Sequence, residues 1–332
     1  MKVAAITGER EAGLVDKPDP VAYDDFVIIK IHVVPMCTEY KRYVGGQPAD
    51  NLGHEAVGEV VEVAQPGQVK VGDRVVVQCG SGCGDCALCR TGDVIHCLNS
   101  RSPNSATATY AQYTLKSDYM CSPIPDDVSY KHAGVALCGL GPGFSAMEMV
   151  NVQATDTVLI TGLGPVGLGG VINGSYRGAR VIAVDSVPFR ANLAKELGAA
   201  EVLDPRDENI LEQILDLTGG AGVDKALDFS GVAPAHRLMI DATRRKGHCA
   251  FIGEGGEFPL GASRDMIRKG LVLHGSWHYN LALFPKLMRV IQDSGEKLDK
   301  FITHEFPMSE VAKAFELQST GACAKVMLDP WK

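Results

Sequence analysis

Four cysteines within fifteen residues constrain this chain more than any other feature. They lie in the run CGDCALCRTGDVIHC, spaced C-x2-C-x2-C-x7-C, and are Cys83, Cys86, Cys89 and Cys97. Four thiolates at this spacing can close a tetrahedral shell around one zinc ion, and the intervening Gly and Asp residues let the backbone turn tightly. Such a shell has no open position, so we expect a structural zinc here and the chemistry elsewhere.

Composition excludes several classes of protein. The 332 residues are 45% hydrophobic and carry a formal net charge of −8, which is typical of a globular chain of two domains and argues against nucleic-acid binding. Apolar runs stay below about 18 residues, so we expect no membrane span. The charged start MKVAAITGEREAG is unlike a signal peptide. Ten cysteines without a secretory signal favour a reducing cytoplasm.

Two patterns of predicted secondary structure divide the chain. Up to about residue 150, short strand patterns alternate with Gly, Pro and Asp turns, which predicts a mostly-β domain; examples are 26–34, 56–64 and 73–79. Strands and helices then alternate, which predicts an α/β doubly wound parallel sheet over 151–280; its strands are 156–162, 179–185, 200–204, 224–231, 247–253 and 270–277. Residues 281–332 are expected to complete the first domain, 1–150.

A glycine-rich turn follows the first strand of the second region. The run TGLGPVGLGG contains G-x-G-x-x-G, and its central residues are Gly162, Gly164, Pro165, Val166 and Gly167. This pattern between a strand and a helix is typical of dinucleotide binding, with the pyrophosphate at the helix N-terminus. The next strand ends in Asp185, a carboxylate that suits ribose hydroxyls and favours NAD over NADP. Arg190 lies close enough in sequence to contact a phosphate.

Three separated residues are candidates for a second metal site. Cys37, His54 and Cys138 offer two thiolates and an imidazole, which with a water form a catalytic zinc shell that leaves a position for substrate. Spacing alone leaves this undecided, because isolated cysteines and histidines are more often packed in the core. The four remaining cysteines are interpreted as small buried apolar residues; they are Cys79, Cys121, Cys249 and Cys323.

Taken together, these motifs resemble the zinc-containing medium-chain dehydrogenase/reductase family, the alcohol and polyol dehydrogenases, over essentially the whole chain. Cys37, GHE at 53–55, VKVGDRV at 69–75, the four-cysteine run and GLGPVG with Asp185 follow one another in the family order. The resemblance implies a GroES-like catalytic domain and a Rossmann cofactor domain. It also implies two zinc ions per chain, a catalytic one on Cys37, His54 and Cys138, and a nearby carboxylate at Glu55.

One segment departs from the family pattern. The family usually has Cys-Gly-Thr/Ser-Asp, whereas this chain has Cys37-Thr38-Glu39. If the glycine is deleted, Thr38 matches the hydroxyl that relays the alcohol proton, and Glu39 matches the acid that orients the zinc histidine. Without a gap, Thr38 takes the glycine position and Glu39 must carry the proton itself.

The resemblance implies hydride transfer between a secondary alcohol and NAD, with zinc as Lewis acid and Thr38 as proton relay. A polyol, sugar or cyclitol is favoured, because polar and aromatic residues could line the cleft: Tyr40, Trp277, His278 and Tyr279. Threonine-like, simple or aryl alcohols are alternatives, as is a non-catalytic zinc- and nucleotide-binding redox sensor. We expect no nucleic-acid or membrane partner and a homodimer or homotetramer, because the segment GLVLHGSWHY resembles the strand that pairs between subunits in this family.

Overall fold

The structure is a computed structural model that describes residues 1–102 and 108–332. Its residues form two compact units. The first comprises Met1–Cys138, Asn280–Leu298 and Ile302–Lys332, and the second comprises Gly139–Tyr279 and Asp299–Phe301. The chain therefore leaves the first unit after Cys138 and returns to it at Asn280. Within the described ranges, no helix has both the length and the apolar character that crossing a bilayer requires.

The strands, numbered in chain order, are β1 (Lys2–Gly8), β2 (Glu11–Asp16), β3 (Phe26–Pro35), β4 (Ala56–Glu62), β5 (Arg74–Val77), β6 (Tyr113–Ser117), β7 (Cys121–Pro123), β8 (Thr157–Thr161), β9 (Arg180–Val184), β10 (Glu201–Leu203), β11 (Val223–Asp228), β12 (Thr243–Phe251), β13 (Val272–Gly275), β14 (Ile302–Pro307) and β15 (Lys325–Asp329). The strand patterns in the sequence coincide with these elements to within a few residues.

The helices are α1 (Tyr40–Val44), α2 (Ala87–Arg90), α3 (Tyr130–Gly134), α4 (Gly141–Met149), α5 (Pro165–Tyr176), α6 (Pro188–Leu197), α7 (Ile210–Leu217), α8 (Ala233–Ala242), α9 (Phe284–Asp293), α10 (Gly295–Phe301) and α11 (Val311–Thr320). Helix α6 illustrates the local signals, since Pro188 occupies its first turn and Gly198 ends it in the left-handed conformation.

The first unit is built on a mostly antiparallel sheet. Its strand order is β14-β15-β3-β4-β5-β7, with β6 also paired to β3. Strand β3 is buried except at Lys30 and His32, which are partly exposed, so it forms the centre of the core, and residues of α11 belong to the same apolar cluster. The C-terminal strand β15 pairs with the end of β3, which brings Lys325 to the segment that follows Pro35.

The second unit is a parallel sheet of six strands. The order β10-β9-β8-β11-β12-β13 is the doubly wound arrangement, in which the direction of winding reverses between β8 and β11. Ligands of such sheets bind at the carboxyl ends of the strands at this reversal. The glycine-rich turn begins at this position, directly after Thr161.

Candidate metal centre and cofactor turn

The first unit brings Cys37, His54 and Cys138 together. Cys37 follows β3, His54 precedes β4, and Cys138 lies in the turns after α3. Their sulfur and nitrogen atoms, with a carboxylate oxygen of Glu55, all lie within 4.8 Å of one another. Nε2 of His54 lies 3.2 Å from Sγ of Cys138, so this nitrogen faces the sulfurs. Two thiols and one imidazole nitrogen at this separation fit a zinc ion with an open position.

Glu39 orients the imidazole of His54. Its Oε1 lies 2.9 Å from Nδ1 of His54, and its Oε2 accepts hydrogen bonds from the hydroxyl of Tyr110 at 3.0 Å and from the backbone N–H of Cys37 at 3.2 Å. Burial alone would raise the pKa of Glu39, but the hydrogen bond and positive charge of His54 hold that pKa below its ordinary value. The anionic carboxylate therefore fixes Nδ1 and directs Nε2 toward the sulfur of Cys138, the side on which a metal would bind.

The electrostatics of this cluster favour a cation. Hydrogen bonding to Cys138, then burial, raises the pKa of Cys37 well above its ordinary value. Burial would lower the pKa of His54, but hydrogen bonds to Cys37 and Glu39 raise it to about 11. These groups therefore hold their protons more strongly than usual. A metal ion would stabilise both thiolates and replace those protons.

Glu55 is fully buried and paired with Lys325, which is also buried. Nζ of Lys325 lies 2.8 and 3.0 Å from the two carboxylate oxygens and donates to the carbonyl of Met36 at 2.9 Å. Glu55 Oε2 also accepts the backbone N–H of Cys138 at 3.0 Å. The ion pair therefore connects the backbone on either side of the cluster, next to Cys37 and at Cys138.

Thr38 lies beside Cys37 at the start of the turn that leads into α1. Its side chain is exposed, and its carbonyl accepts the N–H of Lys41 at 3.0 Å. Tyr40 is half-buried and packs against the core of the first unit. In the second unit, Trp277 is 48% exposed whereas Tyr279 is buried.

The four cysteines of the run 83–97 also converge. All four Sγ atoms lie within 4.8 Å of one another, with 3.9 Å between Cys83 and Cys89 and 3.8 Å between Cys86 and Cys97. Backbone hydrogen bonds from Asp85 and Cys86 lower the pKa of Cys83 to about 6. Four sulfurs in this arrangement fit a closed tetrahedral zinc site. We call the segment 83–97 the cysteine lobe.

The cysteine lobe is anchored to the returning chain by Asn280. Its amide donates to the carbonyl of Thr91 at 2.8 Å and to the carboxylate of Asp93 at 3.0 Å. The backbone N–H of Leu281 donates to the carbonyl of Gly92 at 2.9 Å. Gly92 has a left-handed φ of 89°, and a Cβ at this position would clash with the side chain of Asn280. Glycine is therefore needed there.

In the second unit, the glycine-rich turn has the geometry of a phosphate cradle. Gly162 has φ 82°, and a Cβ there would lie 2.7 Å from Ser230, two residues after β11. A Cβ on Gly167 would lie 1.8 Å from the carbonyl oxygen of Gly162. A Cβ on Gly164 would instead meet no described atom within 4 Å, and Pro165 and Val166 begin α5 directly after it. The open space at a helix N-terminus fits a pyrophosphate.

Asp185 closes this turn from the end of β9. Its Oδ2 accepts the N–H of Leu163 at 2.7 Å, and its Oδ1 accepts the N–H of Val187 at 2.8 Å. Nη1 of Arg190 lies 3.9 Å from Oδ2 of Asp185. The carboxylate is therefore fixed beside the phosphate cradle, with one guanidinium next to it.

Sequence reasoning missed several residues that support these sites. For Lys325, the sequence held one indication of a supporting role, a lysine inside the apolar strand pattern CAKVMLD. For Tyr110, the sequence held no such indication.

Asp228, at the end of β11, also supports the glycine-rich turn. It is fully buried and accepts hydrogen bonds from the hydroxyl of Thr161 at 2.7 Å and the N–H of Gly231 at 2.9 Å. Nε2 of His236 lies 3.0 Å from Asp228, so this carboxylate holds the loop that touches Gly162.

Comparison with known proteins identifies the family. Residues 23–126 match the alcohol dehydrogenase GroES-like domain, and residues 165–293 match the zinc-binding dehydrogenase domain. The chain is 31% identical to an L-threonine 3-dehydrogenase of Alteromonas mediterranea over 97% of both chains. It is 29% identical to a sorbitol dehydrogenase of Bacillus subtilis over 99% of this chain and 97% of that one.

A solved structure confirms the fold class. The alcohol dehydrogenase TADH from Thermus sp. ATN1 superposes with a TM-score of 0.90 over 99% of both chains at 21% identity. The predicted combination of a GroES-like domain with a Rossmann domain is therefore confirmed, as is the resemblance that the motifs indicated. The chain belongs to the zinc-containing alcohol dehydrogenases of the medium-chain dehydrogenase/reductase family.

Proposed function

We propose that this chain is a zinc-dependent dehydrogenase that transfers hydride between a secondary alcohol and NAD. The observation that carries the proposal is the convergence of Cys37, His54 and Cys138 within 4.8 Å, with Nδ1 of His54 held by Glu39. A zinc ion on these three side chains would act as a Lewis acid toward the oxygen of the alcohol or carbonyl. The cysteine lobe would hold the second, structural zinc.

The residues of the chain have separate tasks in this reaction. Glu39 keeps Nε2 of His54 directed at the sulfurs, and Lys325 neutralises Glu55 beside them. Oγ1 of Thr38 accepts the proton of the substrate hydroxyl and passes it on. The hydrogen bond between Glu39 and His54 supports the gapped alignment, in which Thr38 is the relay. In the second unit, the turn at Gly162, Gly164 and Gly167 cradles the pyrophosphate of NAD, and Asp185 binds its ribose.

A polyol, sugar or cyclitol is the favoured substrate class, and the sorbitol dehydrogenase relative supports that choice. A 3-hydroxy amino acid is the second candidate, because the chain is 31% identical to an L-threonine 3-dehydrogenase. We further propose a cytoplasmic homo-oligomer, in which the edge strand β13 pairs between subunits. Ten cysteines without a disulfide suit a reducing compartment.

The test is NADH formation across polyols, sugars, cyclitols, threonine and simple alcohols, with NADP in parallel and zinc content measured on the same sample. We expect turnover with NAD that falls when a chelator removes zinc. Replacing Cys37 by Ser should remove turnover, whereas Cys121→Ser, at a buried thiol outside both metal clusters, should not. Full zinc and cofactor binding without turnover on any alcohol or carbonyl would contradict the proposal.

The proton relay has its own test. Replacing Thr38 by Val should lower turnover by about 10²- to 10⁴-fold, the usual contribution of acid–base catalysis, while zinc content stays unchanged. Thr320→Val, at an exposed threonine at the end of α11, serves as the control. Near-normal turnover of Thr38→Val would exclude the relay and favour the alignment without a gap, in which Glu39 carries the proton.

A further inference from the structure

A third cysteine lies next to the buried metal cluster. Cys79 follows β5, is 8% exposed, and its thiol donates to the carbonyl of His54 at 3.4 Å. Its Sγ lies within 4.8 Å of Sγ of Cys138. Cys79 does not belong to the set formed by Cys37, His54, Glu55 and Cys138, so it flanks Cys138 without completing the donor shell. The sequence pattern had indicated only a small apolar residue at this position.

The surroundings of both cysteines allow their sulfurs to approach each other. A disulfide needs a sulfur–sulfur distance of about 2 Å and a suitable torsion angle. Cys79 lies in a bend before Gly80, which has φ 84°, and Cys138 lies in turns between α3 and α4. Neither cysteine lies in a strand or a helix, and the backbone N–H of Cys138 donates to the side chain of Glu55. Closing the gap therefore requires side-chain rotation and a small shift, chiefly on the Cys79 side.

We propose that Cys79 and Cys138 form a disulfide when a hydroperoxide reaches the site, and that this oxidation removes one ligand of the buried zinc. The sulfur of Cys138 attacks one peroxide oxygen, and the O–O bond breaks to give a sulfenic acid and one water. The sulfur of Cys79 then attacks the sulfenic sulfur, forming the S–S bond. The hydroxide leaves with the proton of the thiol as a second water. Two thiols lose two electrons, and one hydrogen peroxide becomes two waters.

Cys79 differs from Cys37 because it lies beside Cys138 without being a proposed zinc ligand. Cys37 also lies within 4.8 Å of Cys138, but it is itself a proposed zinc ligand. Cys79 is outside the donor set and therefore remains a thiol while the zinc is bound. A disulfide with Cys79 would detach Cys138 from the metal, and a dithiol reductant would restore it. The effect on zinc rests on the proposed function, whereas the disulfide itself does not.

The experiment treats the zinc-loaded protein with hydrogen peroxide and measures three quantities. These are disulfide-linked peptides after alkylation in denaturant, zinc released to a chromogenic chelator, and zinc content before treatment. We expect a peptide that joins Cys79 to Cys138, release of the zinc of the buried cluster, and recovery with dithiothreitol and added zinc. In Cys79→Ala, the linked peptide and the reversible release should be lost.

Controls keep the result interpretable. Cys121→Ala removes another buried thiol that donates to a backbone carbonyl, so this variant should behave like the unmodified protein. Cys79→Ser is the more conservative replacement, because the hydroxyl keeps the shape of the side chain but cannot form a disulfide. It should show the same loss of the linked peptide as Cys79→Ala if both variants bind zinc normally before treatment. Absence of the linked peptide, or a Cys37–Cys138 link whose yield does not depend on Cys79, would overturn the proposal. A linked peptide in protein that never held zinc in this cluster would support the disulfide and contradict the proposed function.

Discussion

The two candidate metal sites of the first unit are built in opposite ways. In the cysteine lobe, all four sulfurs come from fifteen consecutive residues, and backbone N–H groups of the same segment donate to them. In the buried cluster, Cys37, His54 and Cys138 come from three distant segments. Glu39 and Glu55 belong to two of these segments, whereas Tyr110 and Lys325 come from two further ones.

The difference separates a site that the chain can form locally from one that only the folded core can form. The cysteine lobe needs tight turns and the contacts of one short segment, Asn280 and Leu281. The buried cluster needs β3, β4 and β15 in register, because β15 places Lys325 against Glu55. We therefore expect mutations around the buried cluster to affect the whole protein, and mutations around the cysteine lobe to act locally.

The largest effect is expected for Lys325→Met. This change leaves the carboxylate of Glu55 buried without its counter-charge, which costs about 3–5 kcal/mol of the free energy of unfolding. Urea denaturation followed by circular dichroism measures it. Lys313→Met, at an exposed lysine paired with Glu310, is the control and should cost less than about 1 kcal/mol. A loss for Lys325→Met no larger than that of the control would show that the ion pair does not support the core.

The next effect is expected for Glu39→Gln. The amide keeps the shape of the side chain but loses the charge that fixes Nδ1 of His54, so zinc affinity or turnover should fall by about 10- to 100-fold. Competition with a chelator measures the affinity of the buried cluster. Glu59→Gln is the matched control, because Glu59 lies 4.0 Å from the imidazole of His32 in a more exposed position. Unchanged zinc affinity in Glu39→Gln would mean that His54 is oriented by packing alone.

The smallest effect is expected for Asn280→Ala, which cuts the anchor of the cysteine lobe. Three exposed or partly buried hydrogen bonds of the Asn280 side chain are lost, so the free energy of unfolding should fall by about 1 kcal/mol. Hydrogen exchange should rise within residues 83–97, whereas residues around Cys37 and His54 should stay protected. Faster exchange around both clusters would show that the two sites are coupled and that the cysteine lobe does not unfold locally.

Much of the fold could be predicted from the sequence, because its signals are local. The strands β3, β8 and β9 all lie within a few residues of their predicted ranges. The turn at Gly162 was predictable because a strand, three glycines and a helix follow one another without interruption. For the same reason, the spacing of the cysteine lobe predicted convergence of its sulfurs.

The buried site was only partly predictable. The residue pattern left Cys37, His54 and Cys138 open between ligands and core residues, and the resemblance to a family was needed to group them. Lys325 lies 270 residues from Glu55 along the chain, and Tyr110 lies 71 residues from Glu39. No periodicity or spacing rule connects residues at such separations, since their contact depends on strand order and register.

The sequence by itself thus determined the elements, the cysteine lobe and the glycine-rich turn, because each depends on residues a few positions apart. Only the tertiary structure decided which side chains surround His54, which lysine neutralises Glu55, and that Cys79 lies beside Cys138. These are contacts of a packed core, where a buried charge or thiol acquires its properties from neighbours that the fold brings in from elsewhere in the chain.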